Sequence, residues 1–311
     1  MVSWESAQER FDALPSAVRE QAPWPGQLFV HPHGHRQRVI DVGPRDGPVL
    51  LFVHGNPTWS FYWRTLIKPL EATYRCIAVD HVGCGLSDKP QDWSYRLKDH
   101  QENLARVIEA LDLQNATLVC HDWGGPIGYG GVLADADRFR RFVVFNTLSR
   151  FGNFPLSIKM CRWPVVGPLA VRGGNAFLKF ALRRGTSQPM QFKGPIGEGY
   201  LAPYGTWADR VAIQRFVDDI PVEAKHPTGW ARTELAAGIQ TQADKPHLVV
   251  WGMQDFVFHQ AFLAGWKEDV PQATFIEVED ANHFVVEDAK DRVFGWVSTW
   301  LDDNPLEAQP E

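Results

Sequence analysis

Short, continuously apolar segments recur along the chain and alternate with segments of helical periodicity. Val49–Val53 and Phe142–Phe145 contain no polar residue, a pattern typical of parallel strands that are covered on both faces. Leu97–Leu111 instead carries apolar residues at helical spacing, with charged residues on the opposite face. This alternation predicts an α/β fold with a mostly parallel sheet flanked by helices. Its eight expected strands are Gln27–His31, Gln37–Val42, Val49–Val53, Cys76–Val79, Ala116–Cys120, Phe142–Phe145, His247–Trp251 and Ala273–Val278.

The alternation stops between about Leu148 and Pro221, where proline and glycine are frequent and no strand pattern occurs. We predict a helical insertion between the sixth and seventh strands. The chain then divides into a main domain, residues 1–147 and 222–311, and an inserted helical cap, residues 148–221. The cap should supply the apolar wall of a pocket, for which the candidates are Phe151, Phe154, Trp163, Phe177, Phe180 and Trp207. Its basic side chains are expected to form a solvated face, among them Arg172, Arg183 and Arg184.

Chemically reactive side chains follow three of the predicted strands. Asp122 comes after the fifth strand, in the sequence HDWGGP, Asp255 after the seventh and His283 after the eighth. Ligands of parallel α/β sheets bind beyond the carboxyl ends of the strands, so we expect these side chains at one edge of the sheet. Each residue alone has a structural interpretation, such as a helix cap for Asp122. Together they have the order nucleophile, acid, histidine, which is the chain order of the α/β-hydrolase triad.

An aspartate in place of a serine nucleophile predicts the kind of carbon that is attacked. A serine that attacked a saturated carbon would form an ether, which activated water does not readily break. A carboxylate forms an ester, which water cleaves at the carboxyl carbon. We therefore expect Asp122 to attack a carbon that bears a halide or belongs to a strained ring. His283 would be the general base of the hydrolytic step and Asp255 would orient it.

Asn56 and Trp123 are the candidate electrophilic groups around this nucleophile. Their backbone N–H groups are expected to form an oxyanion hole for the hydrolytic step. The Asn56 amide and the Trp123 indole N–H are expected to hold a leaving halide. Asn56 as a turn former before Pro57, and Trp123 as a core aromatic residue, are the structural alternatives.

Composition limits the classes of partner and cofactor. The 311 residues carry a formal net charge of −6 without a long basic run, so the sequence does not indicate nucleic acid or an anionic membrane as a partner. The four cysteines lack the spacing of a metal site, and we expect neither metal nor cofactor. The N-terminal segment lacks the apolar stretch of a signal peptide, and no segment is long and apolar enough to span a membrane. These features predict a reduced, cytoplasmic enzyme, and the thirteen tryptophans are compatible with a homo-oligomer.

Several motifs resemble those of the haloalkane dehalogenase group of α/β-hydrolases, across nearly the whole chain. They are HGNPTWSFYWR, DHVGCGLSDKP, HDWGGPIGYG, YLAPYGTWADRVAIQRFVDDIP, WGMQDFVF and DANHFVVED. The resemblance implies Asp122 as nucleophile, His283 as base, and Asn56 and Trp123 as halide donors. An aspartate after the seventh strand together with the asparagine of HGNP resembles the third subfamily, which implies Asp255 as the acid. Asn146 stands where another subfamily has a glutamate acid.

The resemblance implies one main activity and two alternatives. The first is hydrolysis of haloalkanes to alcohol and halide through an ester on Asp122, which water activated by His283 then cleaves. The second is decarboxylation of cis-β-lactones to olefins by the same carboxylate, as in the bordering β-lactone decarboxylases of olefin biosynthesis. The third is epoxide hydrolysis, with Tyr200 and Tyr204 as candidate acids. A non-catalytic receptor of the same fold is a further hypothesis, which an intact triad disfavours.

Overall fold

The computed structural model describes residues 3–223 and 225–306, and one continuous sheet runs through it. Its strands are β1 Ser3–Ser6, β2 Gln27–Val30, β3 Arg36–Val42, β4 Val49–Val53, β5 Arg75–Val79, β6 Ala116–His121, β7 Phe139–Phe145, β8 His247–Gly252 and β9 Thr274–Val278. Within the described residues these nine strands have the spatial order β1-β2-β3-β5-β4-β6-β7-β8-β9. Strands β4 to β9 pair in parallel, and β1, β2 and β3 extend the sheet beyond β5 in antiparallel pairing. The prediction of a mostly parallel α/β sheet is confirmed.

The eight predicted strands correspond to β2–β9, and β1 is an additional strand that the sequence pattern did not predict. Ser3–Ser6 is polar and mostly exposed, so it lacks the apolar run that identified the other strands. It is held by antiparallel pairing with β2 and by Trp4, whose ring centroid lies 5.0 Å from that of Phe29. Backbone pairing with β2, rather than burial of its own side chains, therefore adds β1 to the edge of the sheet.

Helices cover both faces of the sheet. Successive residues of a strand point to opposite faces, and Leu51 and Leu50 accordingly belong to two separate apolar clusters. Buried residues of α4, α5, α11 and α12 complete the first cluster, and those of α3 and α14 the second. The α-helices are α1 Gln8–Asp12, α2 Ser16–Gln21, α3 Arg64–Leu70, α4 Leu97–Ala110, α5 Gly124–Leu133, α6 Leu156–Met160, α7 Val166–Arg172, α8 Ala176–Arg184, α9 Pro195–Leu201, α10 Val211–Asp218, α11 Ala231–Gln240, α12 Gln260–Asp269, α13 Val285–Asp288 and α14 Lys290–Asp303.

The segment between β7 and β8 consists of helices joined by turns and irregular stretches, and it contains no strand among the described residues. It contains α6 to α11, together with short 3₁₀ turns such as Ala202–Tyr204 and Ala208–Arg210. We propose residues 148–221 as the cap, and call this segment the insertion. Among the described residues, no helix combines the length and the apolar character that crossing a bilayer requires.

Candidate active site

Asp122 lies in a tight turn between the end of β6 and the start of α5. Its backbone has a φ of 53°, in the left-handed region that residues other than glycine rarely adopt. Two glycines make room for this turn. A Cβ on Gly55 would lie 2.2 Å from Asp122 Oδ1, and one on Gly124 would lie 2.0 Å from the carbonyl oxygen of Val53. The chain therefore needs glycine at both positions to present the carboxylate beyond the end of the sheet.

The Asp122 carboxylate is buried, with 6% of the residue exposed. The Asn56 backbone N–H donates a hydrogen bond to Oδ1 at 2.5 Å. Burial raises the pKa of Asp122 to about 6, although the charge of His283 and the backbone N–H groups of Trp123 and Asn56 act in the opposite direction. At neutral pH the carboxylate is therefore mostly ionised, although its burial leaves the charge poorly solvated.

His283 lies between Asp122 and Asp255. Its Nδ1 is 2.9 Å from Asp255 Oδ2, and its Nε2 is 3.8 Å from Asp122 Oδ2. Burial alone would lower the pKa of His283, but the negative charges of Asp255 and Asp122 and the hydrogen bond to Asp255 outweigh it, so that the pKa is raised. The structure thus brings the three predicted triad residues together, with the histidine directed at the predicted nucleophile.

Asp255 and Asn146 form a buried hydrogen-bonded pair behind the histidine. The Asn146 Nδ2 donates to Asp255 Oδ2 at 3.0 Å, and the N–H groups of Val257 and Phe258 donate to Oδ1. The Asn146 carbonyl oxygen also accepts from the Asp122 N–H at 3.1 Å. Asn146 therefore binds the Asp255 carboxylate through its side chain and the backbone of the Asp122 turn through its carbonyl oxygen, a positioning function that the sequence pattern did not predict. The available signal was an amide in the position where related sequences carry an acid.

Asn56 and Trp123 both line the cavity beside Asp122, as predicted from the motifs. The Asn56 Nδ2 donates to the carbonyl oxygen of Ile213 at 3.3 Å, which leaves one amide proton for a ligand. The Asn56 Oδ1 is buried without a hydrogen-bond partner among the described residues. Trp123 is 8% exposed. The halide-binding and oxyanion roles of the two residues remain predictions.

A mostly apolar cavity lies above Asp122, between the sheet and the insertion. It encloses about 710 Å³ of space, part of it open to solvent. Four of the six predicted aromatic wall residues line it: Phe151, Phe154, Phe177 and Phe180. Trp163 and Trp207 do not, and their side chains are instead half-exposed at the surface. The prediction missed the run Phe256-Val257-Phe258, whose apolar character directly after Asp255 was the available signal.

The fold and the geometry of the site agree with the comparisons with known proteins. The α/β hydrolase fold family matches residues 48–172. The cis-3-alkyl-4-alkyloxetan-2-one decarboxylase of Shewanella oneidensis is 39% identical over 281 residues, which cover 88% of this chain and 87% of the relative. The chain belongs to the α/β-hydrolase family.

Haloalkane dehalogenases are also relatives within this family, at lower identity. Haloalkane dehalogenase 2 of Mycobacterium tuberculosis is 30% identical over 266 residues, covering 83% of this chain and 89% of the relative. The crystal structure of a haloalkane dehalogenase from Agrobacterium tumefaciens C58 superposes with a TM-score of 0.79 at 26% identity, covering 89% of this chain and 96% of that structure. The family assignment made from the motifs, including its border with the lactone decarboxylases, is confirmed.

Tyr200 and Tyr204, the candidate acids for epoxide opening, do not line the cavity of this α/β-hydrolase. The Tyr200 hydroxyl donates to Glu287 at 2.5 Å, and the Tyr204 hydroxyl donates to the carbonyl oxygen of Thr58 at 3.2 Å. Both residues are fully buried. Their hydroxyl groups are engaged away from Asp122, so this arrangement gives no support to the epoxide hypothesis.

Proposed function

We propose that this α/β-hydrolase decarboxylates cis-3,4-dialkyl β-lactones to olefins. The observation that carries the proposal is the poorly solvated carboxylate of Asp122 facing a mostly apolar cavity, with the His283 imidazole 3.8 Å away. The relative from Shewanella oneidensis, named for this reaction, supports it at higher identity than the dehalogenases. The proposal thus reverses the order of the two activities that the motifs implied.

The reaction is derived from the chemistry of a carboxylate and a strained ring. An Asp122 oxygen attacks ring carbon C4, a C–O ester bond forms, and the ring C–O bond breaks to release a carboxylate on C3. The C3–carboxylate bond then breaks, carbon dioxide leaves, and its electron pair forms the double bond. Asp122 departs from C4 as a free carboxylate at the same time. The lactone becomes an olefin and carbon dioxide, without consumption of water or a net proton.

His283 has an electrostatic role in this scheme. The ring oxygen gains negative charge as the lactone opens, and a protonated imidazole next to Asp122 stabilises that charge. The raised pKa of His283 favours the protonated form. Asp255 holds the imidazole ring of His283 through the contact at 2.9 Å, and Asn146 in turn holds Asp255 through the hydrogen bond at 3.0 Å.

The walls of the cavity favour a substrate with long apolar substituents. Two sets of phenylalanines line the space above Asp122. One set belongs to the insertion, and the other, Phe256 and Phe258, follows Asp255. They offer separate surfaces to two alkyl chains, while Asp122, Asn56 and His283 supply polar groups near the ring. Burial of each methylene group contributes about 0.8 kcal/mol. We therefore propose that chain length, rather than hydrogen bonding, dominates the affinity for the substrate.

Hydrolytic dehalogenation of haloalkanes is the second candidate. It is favoured by the side chains of Asn56 and Trp123, which both line the cavity beside Asp122 and offer N–H donors to a leaving halide. This reaction differs in one step, because the alkyl ester on Asp122 has to be cleaved by water. In that step His283 acts as a general base and has to be neutral.

One experiment in ¹⁸O-labelled water separates the two activities. The enzyme is incubated with a cis-3,4-dialkyl β-lactone or with a medium-chain 1-bromoalkane, and olefin and bromide are measured. The peptide that contains Asp122 is then analysed by mass spectrometry. Decarboxylation predicts olefin and no label in Asp122, because no water attacks the ester. Dehalogenation predicts bromide and progressive labelling of the Asp122 carboxylate.

Asp122→Asn is the matched control, since it keeps the size of the side chain and removes the nucleophile. The proposal is supported if the wild type forms olefin and this variant does not. It is overturned if wild type and variant form equal amounts of olefin. Bromide release with label in Asp122, and no olefin, would assign the second function instead.

A further inference from the structure

The outer surface of the insertion exposes a concentration of large apolar side chains. We call these residues the outer apolar face: Leu156, Met160, Trp163, Val165, Val166 and Leu169. Their exposed fractions range from 38% for Met160 to 72% for Val165, and they are six of the eleven exposed large apolar residues in the part of the chain that the structure describes. Scattered exposed apolar residues need no explanation, whereas a concentrated group indicates an interaction surface.

Helix geometry makes these side chains one surface rather than separate residues. Leu156 and Met160 are four residues apart on α6, and Val166 and Leu169 are three apart on α7, so that each pair shares a helix face. The two helices meet closely, since a Cβ on Gly167 would lie 2.1 Å from the carbonyl oxygen of Cys161. The outer apolar face therefore continues from α6 to α7.

One of these two helices, α6, and the neighbouring helix α8 contribute to the wall of the cavity. Ile158 of α6 is buried and lines the cavity, whereas Leu156 and Met160 of that helix are exposed. Phe180 of α8 also lines the cavity and is 47% exposed, so the cavity reaches the surface of the insertion at this residue. The α6 part of the outer apolar face thus lies on the wall that separates an apolar cavity from solvent.

Positive charge accompanies this surface. Residues 150–197 contain eight arginines and lysines and no acidic residue, although the whole chain has a net charge of −6. The cations are dispersed along the sequence, which is why the chain contains no basic run. Arg150 and Arg162 pair with acidic residues outside this stretch, whereas the other six cations form no ion pair among the described residues. Exposed cations include Lys179 and Arg183, which flank Phe180 on α8, together with Arg184 and Lys193.

We propose that the outer apolar face docks this protein on the surface of an anionic lipid bilayer, from which apolar substrates enter the cavity. Apolar side chains flanked by cations are the combination that binds such a surface. A second copy of the chain would bring the same cations face to face, and this repulsion disfavours a dimer through this face. Among the described helices none crosses a bilayer, so the docking is peripheral. The proposal holds for any apolar substrate.

The test uses lipid vesicles without substrate, so its failure is distinct from that of the proposed function. Purified protein is sedimented with vesicles of phosphatidylglycerol and phosphatidylcholine, and with vesicles of phosphatidylcholine alone. Three variants are compared: Val166→Glu/Leu169→Glu in the outer apolar face, Arg183→Gln/Arg184→Gln in the cationic part, and Phe294→Glu as a matched control. Phe294 is an exposed apolar residue of α14 outside the insertion.

The wild type is expected to bind the anionic vesicles at least about tenfold more tightly than the neutral ones, because each basic residue near the surface contributes about fivefold to binding. The Val166→Glu/Leu169→Glu variant should lose at least about tenfold in affinity for vesicles. The Arg183→Gln/Arg184→Gln variant should bind anionic vesicles more weakly and neutral vesicles as the wild type does. Phe294→Glu should bind like the wild type. Thermal unfolding of each variant verifies that it is folded.

Two results would overturn the proposal. The first is equal vesicle binding by the wild type and the Val166→Glu/Leu169→Glu variant, including no binding by either. The second is a dimer that this variant dissociates, measured by sedimentation equilibrium, without vesicle binding by the wild type. In that case a second copy of the chain covers the outer apolar face.

Discussion

Asp80 and Asp122 follow β5 and β6, the two strands that flank β4 in the sheet. Both are buried, with exposed fractions of 0% and 6%. Both approach a glycine, because a Cβ on Gly85 would lie 2.3 Å from Asp80 Oδ2 and one on Gly55 would lie 2.2 Å from Asp122 Oδ1. The two aspartates have similar burial and similar positions, yet their pKa values are shifted in opposite directions.

Asp80 is surrounded by donors. Arg38 Nη1 donates to it at 3.1 Å, and the backbone N–H groups of Ser60 and Leu86 donate at 2.8 Å and 2.9 Å. Burial alone would raise the pKa of Asp80, but the charge of Arg38 and these hydrogen bonds outweigh it, so that the pKa is lowered. Asp122 has no arginine partner among the described residues, and its pKa is raised to about 6. The arginine and the backbone donors around Asp80, rather than a difference in burial, therefore account for the opposite directions of the two pKa shifts.

Replacement of Asp122 should have the largest effect. Asp122→Asn removes the nucleophile, and we expect the turnover of the substrate to fall by at least about a thousandfold. The measurement is the rate of olefin or bromide formation at saturating substrate. A variant that retains more than a tenth of the wild-type rate would contradict the assignment of Asp122 as the nucleophile.

Replacement of Asp80 should affect stability instead of chemistry. Asp80→Asn leaves the guanidinium of Arg38 buried without its counter-charge, so we expect the free energy of unfolding to fall by about 3–5 kcal/mol. Denaturant unfolding measures this change. The turnover number of the folded fraction should be unchanged, and a selective loss of turnover at normal stability would show that the comparison of the two aspartates is wrong.

The same conservative change at Asp122 should stabilise the protein at high pH. The folded state raises the pKa of Asp122 from 3.8 to about 6, so the protein loses stability as the pH rises from about 4 to about 6, and the loss persists at higher pH. Asp122→Asn should therefore increase the free energy of unfolding by about 3 kcal/mol at pH 8 and by much less at pH 4. Unfolding curves at the two pH values test this sign; an increase of the same size at both would refute it.

The pH dependence of kcat/KM should report the ionisation of Asp122 and His283. Only the ionised form of Asp122 attacks, so kcat/KM should fall about tenfold per pH unit below a pH of about 6. Decarboxylation should also slow at high pH, when His283 loses its proton, whereas dehalogenation should require the neutral imidazole. The pH profile with each substrate measures both limbs. A flat acid limb would mean that Asp122 does not control the rate.

Sequence patterns predicted those parts of the fold that depend on burial and chain order. Val49–Val53 and Ala116–His121 are buried throughout, and a mostly apolar run of strand length identifies such strands from the sequence. The parallel arrangement of these strands then places Asp122, Asp255 and His283 at one edge of the sheet. Ser3–Ser6 was missed because pairing with β2, rather than its own side chains, makes it a strand.

The rest of the site depends on contacts that no local pattern contains. Trp163 and Phe154 are both aromatic residues of the insertion, yet one is half-exposed and the other lines the cavity. The hydrogen bond from Asn146 to Asp255 joins residues 109 positions apart. Such features follow from three-dimensional proximity rather than from spacing along the chain.

The left-handed backbone at Asp122 restricts how the protein can evolve. Asparagine and aspartate tolerate this conformation better than most residues, whereas β-branched residues are strained in it. Most substitutions at this position would therefore deform the turn as well as abolish the nucleophile. The aromatic residues of the insertion carry no such constraint. A lineage of this family can thus acquire a new substrate most easily through the insertion, one wall residue at a time, while the turn is inherited unchanged.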